Sequence, residues 1–106
     1  MTTTRIEKIQ AMLLEDPRDP FLRYTLAMEF RKLDENEKSL ELLTELANHQ
    51  EPPYVAAFFM AAQQLVELDR TEEARTFLRD GIDEARRQDN HHAAAEMSEL
   101  LSEIGK

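Results

Sequence analysis

The chain has no cysteine among its 106 residues. That removes disulfides, thiolate nucleophiles and cysteine-type zinc sites, and it leaves the redox compartment undecided. Tryptophan is missing too, and only 2 glycines and 4 prolines occur. So few chain breakers, beside abundant Ala, Leu, Glu and Arg, favour helix throughout, because these residues lose little side-chain freedom in a helix. No stretch reaches the ~18 apolar residues that a membrane span needs. The opening Met1-Thr2-Thr3-Thr4-Arg5 runs straight into a charged amphipathic segment without the apolar region of a signal peptide. The cytoplasm is the expected location. The length suits one domain over 1–106, which at this size buries roughly 60–70% of the surface its unfolded chain exposes.

Basic residues are also in deficit, 13 against 22 acidic, for a formal net charge of -9. Such a field repels phosphate backbones, so nucleic acid and anionic membrane surfaces are not expected partners. A partner of basic character is favoured, and the charge also keeps a binding surface soluble.

Local chemistry divides the chain into six helices, or five and a terminal cap. Thr4 followed by Glu7 is a capping-box pattern, and Ile6, Ile9 and Leu13 then recur at helical spacing. Pro17 ends this helix near Glu15, and Asp19-Pro20 reads as an N-cap with proline at the first helical position. The second helix carries Phe21, Tyr24, Leu26, Phe30 and Leu33. Asp34-Glu35-Asn36 breaks it, with Asn36 expected to cap a third helix holding Leu40, Leu43, Leu46 and Ala47. After Pro52-Pro53 a fourth helix spans about Tyr54 to Leu68. Thr71 is expected to cap the fifth, where Glu72 and Glu73 favour the positive end of the helix dipole. Gln88-Asp89-Asn90 is the next turn, before a last helix carrying Ala94, Met97, Leu101 and Ile104. Connections this short make sequence neighbours antiparallel neighbours in space.

Sliding the chain against itself gives a match at a shift of 35: Ala27 falls on Ala62, Leu33-Asp34 on Leu68-Asp69, Glu37 on Glu72 and Leu43 on Leu78, with Tyr24 on Phe59 and Phe30 on Leu65. Each unit is helix, turn, helix, and a period in this range marks a helical solenoid. The pattern resembles the tetratricopeptide repeat family, whose unit of about 34 residues follows Trp-x2-Leu-Gly-x2-Tyr, then Ala-x3-Phe, then Pro. The first unit here reads Arg23-x2-Leu26-Ala27-x2-Phe30, then Ser39-x3-Leu43, with Pro52 one place late. The second reads Phe58-x2-Ala61-Ala62-x2-Leu65, then Ala74-x3-Leu78, with no closing proline. Arg5 and Pro17 are separated as the family's Ala and Pro are, and Met97, Ser98, Leu101 and Ile104 align with Leu26, Ala27, Phe30 and Leu33. Alanine replaces the family glycine twice, the tryptophan is absent, and one residue is inserted between the repeats.

The resemblance implies an all-α fold, a right-handed α-α superhelix of antiparallel helix pairs, with two full repeats flanked by half-repeat capping helices. The parts are an N-terminal half-repeat helix over 1–17, repeats over 19–52 and 53–88, and a capping helix over 91–105, given a polar side by Glu96, Glu99 and Glu103. It further implies a concave surface, lined by the first helices of successive repeats, that receives a peptide or helix of another protein. Carried over residue by residue, the groove comprises Phe21, Tyr24, Thr25, Met28, Arg31 and Lys32, with Phe59, Met60, Gln63, Val66 and Glu67. Tyr24, Met28 and Met60 stand where some family members grip a terminal carboxylate with Lys, Asn and Arg, so that clamp is not expected. An aromatic and methionine-rich floor suits an apolar or amphipathic segment, with basic flanks answering the acidic rims. A second copy of the chain is the alternative occupant, which would make the protein a homo-oligomer.

Catalysis is not expected. His92 and Glu96, four apart on one helix face, have a metal-chelating spacing, but no third ligand is evident. His49 suits a helix C-terminus, Ser39 and Ser98 fall where the repeat wants small residues, and Arg86-Arg87 reads as a solvated helix end. No phosphate loop or nucleophile motif occurs, so neither metal nor cofactor is expected.

Overall fold

The computed structural model describes residues 4–105; Met1-Thr2-Thr3, read above for a signal peptide, and Lys106 lie outside that range. The described residues form six helices and no strand: α1 (Arg5–Glu15), α2 (Pro20–Lys32), α3 (Asn36–Asn48), α4 (Val55–Glu67), α5 (Thr71–Arg87) and α6 (His91–Ile104). Thr4 opens α1 with both halves of a capping box. Its hydroxyl accepts the Glu7 N–H at 3.1 Å, and the Glu7 carboxylate accepts the Thr4 N–H at 3.2 Å. The Asp19 carboxylate accepts the Leu22 N–H at 3.1 Å ahead of Pro20 at the start of α2, and Asn90 caps α6 through the Ala93 N–H.

Two expected caps are corrected. Asn36 and Thr71 are the first residues of α3 and α5, and the capping positions are Glu35 and Arg70, which make no side-chain cap. The preceding turn sets the register. The Glu35 N–H reaches back to the Phe30 carbonyl at 2.9 Å and the Arg70 N–H to Leu65 at 2.8 Å, which puts Glu35 and Arg70 at the position from which Asn90 caps α6, without its short capping side chain. The Asn36 side chain is drawn elsewhere, accepting a hydrogen bond from the Gln64 amide at 2.9 Å.

These turns share one geometry. Asp34, Asp69 and Asp89 have φ of 59°, 60° and 58°, and the residue after each donates to the carbonyl five positions back. That is the Schellman ending, a left-handed residue just past the helix that satisfies its last carbonyls. The shift of 35 seen in the sequence is kept in space: α2 and α4 begin at Pro20 and Val55, α3 and α5 at Asn36 and Thr71, and the left-handed residues are Asp34 and Asp69.

Each helix packs on the next along the chain, and α4 also meets α6. The result measures 48 × 29 × 20 Å with a radius of gyration of 14.2 Å, against about 13 Å for a compact domain of 100 residues. It is an elongated stack. Ala27, Ala62, Leu43, Leu65, Leu78 and Met97 are sealed in its core. The tightest crossing is at Gly81 in α5, where a Cβ would lie 2.6 Å from Phe58 Cβ in α4 and 2.6 Å from Met97 Sδ in α6. At the other end α1 buries only Ile9, and Leu14 and Phe21 are 85% and 64% exposed.

Candidate binding groove

The residues expected to line the groove are all half-buried or exposed, while Ala27 and Ala62 on the same two helices are sealed. Ala27 and Ala62 lie in the core with Leu26, Phe58 and Leu65, while the expected groove side chains keep access to solvent. Arg31 joins α2 to α4: its guanidinium donates to the Glu67 carboxylate at 2.5 Å and lies against the Met60 sulfur. Tyr24 of α2 packs on Tyr54, with ring centroids 5.4 Å apart and planes inclined at 48°. Burial pushes the Tyr24 phenol above its ordinary pKa; Tyr54 adds to the shift and Arg31 opposes it. Burial raises Tyr54 as well, with the Asp19 charge reinforcing it. Both rings are therefore neutral near pH 7.

Three hollows run along this flank. The largest, of about 590 Å³, lies between α2 and α4 and is lined by Met28, Arg31, Lys32 and Glu67, with Asp34, Asn36, Gln64 and Leu68. A second, of about 220 Å³, brings Tyr24, Phe59 and Met60 together with Val55, Ala93, His92 and Glu96. A third, of about 270 Å³, lies between α4 and α6 and is lined by Phe59, Gln63, Glu96, Glu99, Leu100 and Glu103. Phe21, Thr25 and Val66 line none of the three. Phe21 projects from the first turn of α2, the Thr25 hydroxyl donates to the Phe21 carbonyl at 2.8 Å, and Val66 packs against the core.

The α6 side chains that line two of these hollows are not among the expected groove positions. A signal for them existed. The alignment that sets Met97 on Leu26 also sets Glu96, Glu99 and Glu103 on Thr25, Met28 and Lys32, so α6 has the register of a groove-lining helix as well as of a cap. Also missed was a buried polar chain beneath the largest hollow. The Ser39 hydroxyl lies 2.8 Å from the Ala27 carbonyl and 3.1 Å from Gln64 Oε1, and the Gln64 amide donates to Asn36. Gln64 is 1% exposed and Ser39 fully buried, and among the described residues no buried side-chain polar atom lacks a partner. The network ties α2, α3 and α4 together under the groove floor.

His92 and Glu96 meet at 3.4 Å, both open to solvent, and among the described residues no group of three or more potential ligands is placed to hold a metal ion. No described helix is long and apolar enough to cross a membrane. Compared with family models, curated proteins and solved structures, the chain matches none.

Proposed function

We propose that this chain is a non-catalytic interaction module, a tetratricopeptide-like array that holds a peptide or helix of a partner protein along the α2–α4–α6 flank. One observation carries the reading: Tyr24, Met28, Phe59 and Met60 all keep solvent access on a single flank instead of closing into a bundle core. Aromatic rings and methionine thioethers give such a surface apolar area and adaptability, and partners with basic flanks are favoured by the net charge of -9. A flank of this length buries on the order of 1,000 Å² or less with its occupant, which corresponds to modest, reversible affinity. The test is affinity capture from source lysate with the wild type beside the double variant Met28→Glu, Met60→Glu. The variant keeps its helical circular dichroism and loses its partner. A partner retained by the variant removes the flank from consideration.

Self-association is the second reading, in which a second copy fills the groove and the exposed Leu14 and Phe21 supply further apolar area. Light scattering across concentrations separates the two. A tight dimer that the same double variant dissolves replaces client binding with assembly.

A further inference from the structure

Two of the hollows share a wall. Phe59 and Glu96 line both the 220 Å³ hollow and its 270 Å³ neighbour, so the two adjoin at the α4–α6 end of the flank. The two halves differ in chemistry. The smaller is walled mainly by Tyr24, Val55, Phe59, Met60 and Ala93. An apolar cavity of about 150 Å³ is enough to hold a benzene ring, so this half accommodates one side chain of leucine, methionine or phenylalanine size. The other half gathers the carboxylates of Glu96, Glu99 and Glu103 with no lysine or arginine in its lining. Glu96 has His92 within 3.4 Å, whereas Glu99 and Glu103 lie on the exposed side of α6, so this half presents negative charge that favours a cation.

The opposite end of the flank offers no comparable preference. Arg31 is paired with Glu67 at 2.5 Å and Lys32 with Glu29 at 3.0 Å, so both cations beside the largest hollow are already answered within the chain, and they stand next to Asp34 in a lining of mixed sign.

Resting on the interaction-module reading, we infer that the α4–α6 end sets specificity. It takes a partner segment that seats an apolar side chain against Phe59 and Met60 and sets a lysine or arginine beside it on Glu96, Glu99 and Glu103. Phe59, common to both halves, receives the aliphatic stem of that basic residue while its charged head reaches the carboxylates. An acidic segment is repelled here.

The test uses the full chain, isotopically labelled for NMR, and three synthetic peptides of about twelve residues in one polar sequence. They carry Leu beside Lys, Leu beside Glu, or Ala beside Lys. The Leu-Lys peptide is expected to shift the amide signals of Phe59, Ala93 and Glu96 and to bind at least about 10-fold more tightly than either other peptide. The exposed pair Glu99→Gln, Glu103→Gln, checked for unchanged helicity, is expected to reduce Leu-Lys binding to the Leu-Glu level. Equal affinity for the Leu-Lys and Leu-Glu peptides overturns the inference, as does the absence of shifts with all three. Shifts centred on Met28 and Arg31 without a charge preference overturn it while leaving the flank as a binding surface.

Discussion

Ser39 Oγ and Gln64 Oε1 lie 3.1 Å apart across 25 residues of sequence, in a place where neither side chain meets water. A hydrogen bond sealed from solvent contributes little net stability, but removing one partner leaves the other unsatisfied at a cost of about 1–3 kcal/mol. Ser39→Ala is therefore expected to lower unfolding stability by that amount in urea denaturation. Adding Gln64→Leu removes the orphaned Gln64 Oε1 as well, at the cost of the hydrogen bond its amide gives Asn36, and is expected to restore part of the loss. A double variant whose loss equals the sum of the two singles would show that the groups act independently.

The three aspartates at left-handed positions predict a gain. A non-glycine residue there costs about 1–2 kcal/mol, and a negative charge beside a helix C-terminus adds an unfavourable dipole interaction. Glycine removes both costs but brings extra unfolded-state freedom worth about 0.4–1 kcal/mol. The net expectation for Asp34→Gly, Asp69→Gly and Asp89→Gly is about 0.5–1 kcal/mol of stabilisation each, seen as a higher melting temperature. Asp80→Gly, on the exposed face of α5, is the control and is expected to destabilise.

Those turns show how much of the molecule the sequence made legible. The shift of 35 places Leu33-Asp34 on Leu68-Asp69, and the two turns are closed by the same backbone bonds. Local signals such as Thr4 with Glu7 and Asp19 with Pro20 also act where they are written, because a cap depends on atoms three residues away. Asn36 and Thr71 fall one place past the capping position, which the Schellman turn sets at the residue after the left-handed aspartate; Asn90 caps from that position with its short side chain, and Glu35 and Arg70 do not. Gln64 and Gly81 gave no local sign. Glutamine is usually a surface residue and glycine a poor helix former, and only the approach of other helices explains either. Of the positions carried over for the candidate groove, Tyr24, Met28, Arg31, Lys32, Phe59, Met60, Gln63 and Glu67 line hollows, whereas Glu96, Glu99 and Glu103 of α6, which join them, carry the polar pattern of a cap and so gave no apolar signal.

Gly81 predicts the opposite sign from helix propensity. In an isolated helix, glycine to alanine gains about 1 kcal/mol. Here the new methyl would meet Met97 Sδ, the flexible part of a side chain, but also Phe58 Cβ, which is fixed to the α4 backbone. Met97 is fully buried and has nowhere open to go. Overpacking of this kind costs about 1–3 kcal/mol. Gly81→Ala is expected to lower stability by up to about 2 kcal/mol net, and a raised melting temperature would show that α4 and α6 yield at this crossing.

The tyrosines supply a pH test, because the chain has only 2 and they touch. Burial raises both phenol pKa values in the folded state. The folded protein therefore holds its phenolic protons more tightly than the unfolded chain does. This contribution is fully present below the unfolded value, about pH 10, and is lost as pH rises through the higher folded values. Phenolate absorbance is expected to appear at higher pH in the native protein than in urea, and stability should fall as the pH climbs past 10. Tyr54→Phe removes the second-ranked cause of the Tyr24 shift but leaves burial, the first, so the remaining Tyr24 titration should move down part of the way and stay above its denatured midpoint. A Tyr24 midpoint equal in the native and denatured variant would mean that the ring is solvated along the flank, and the packed wall between α2 and Tyr54 would have to be redrawn.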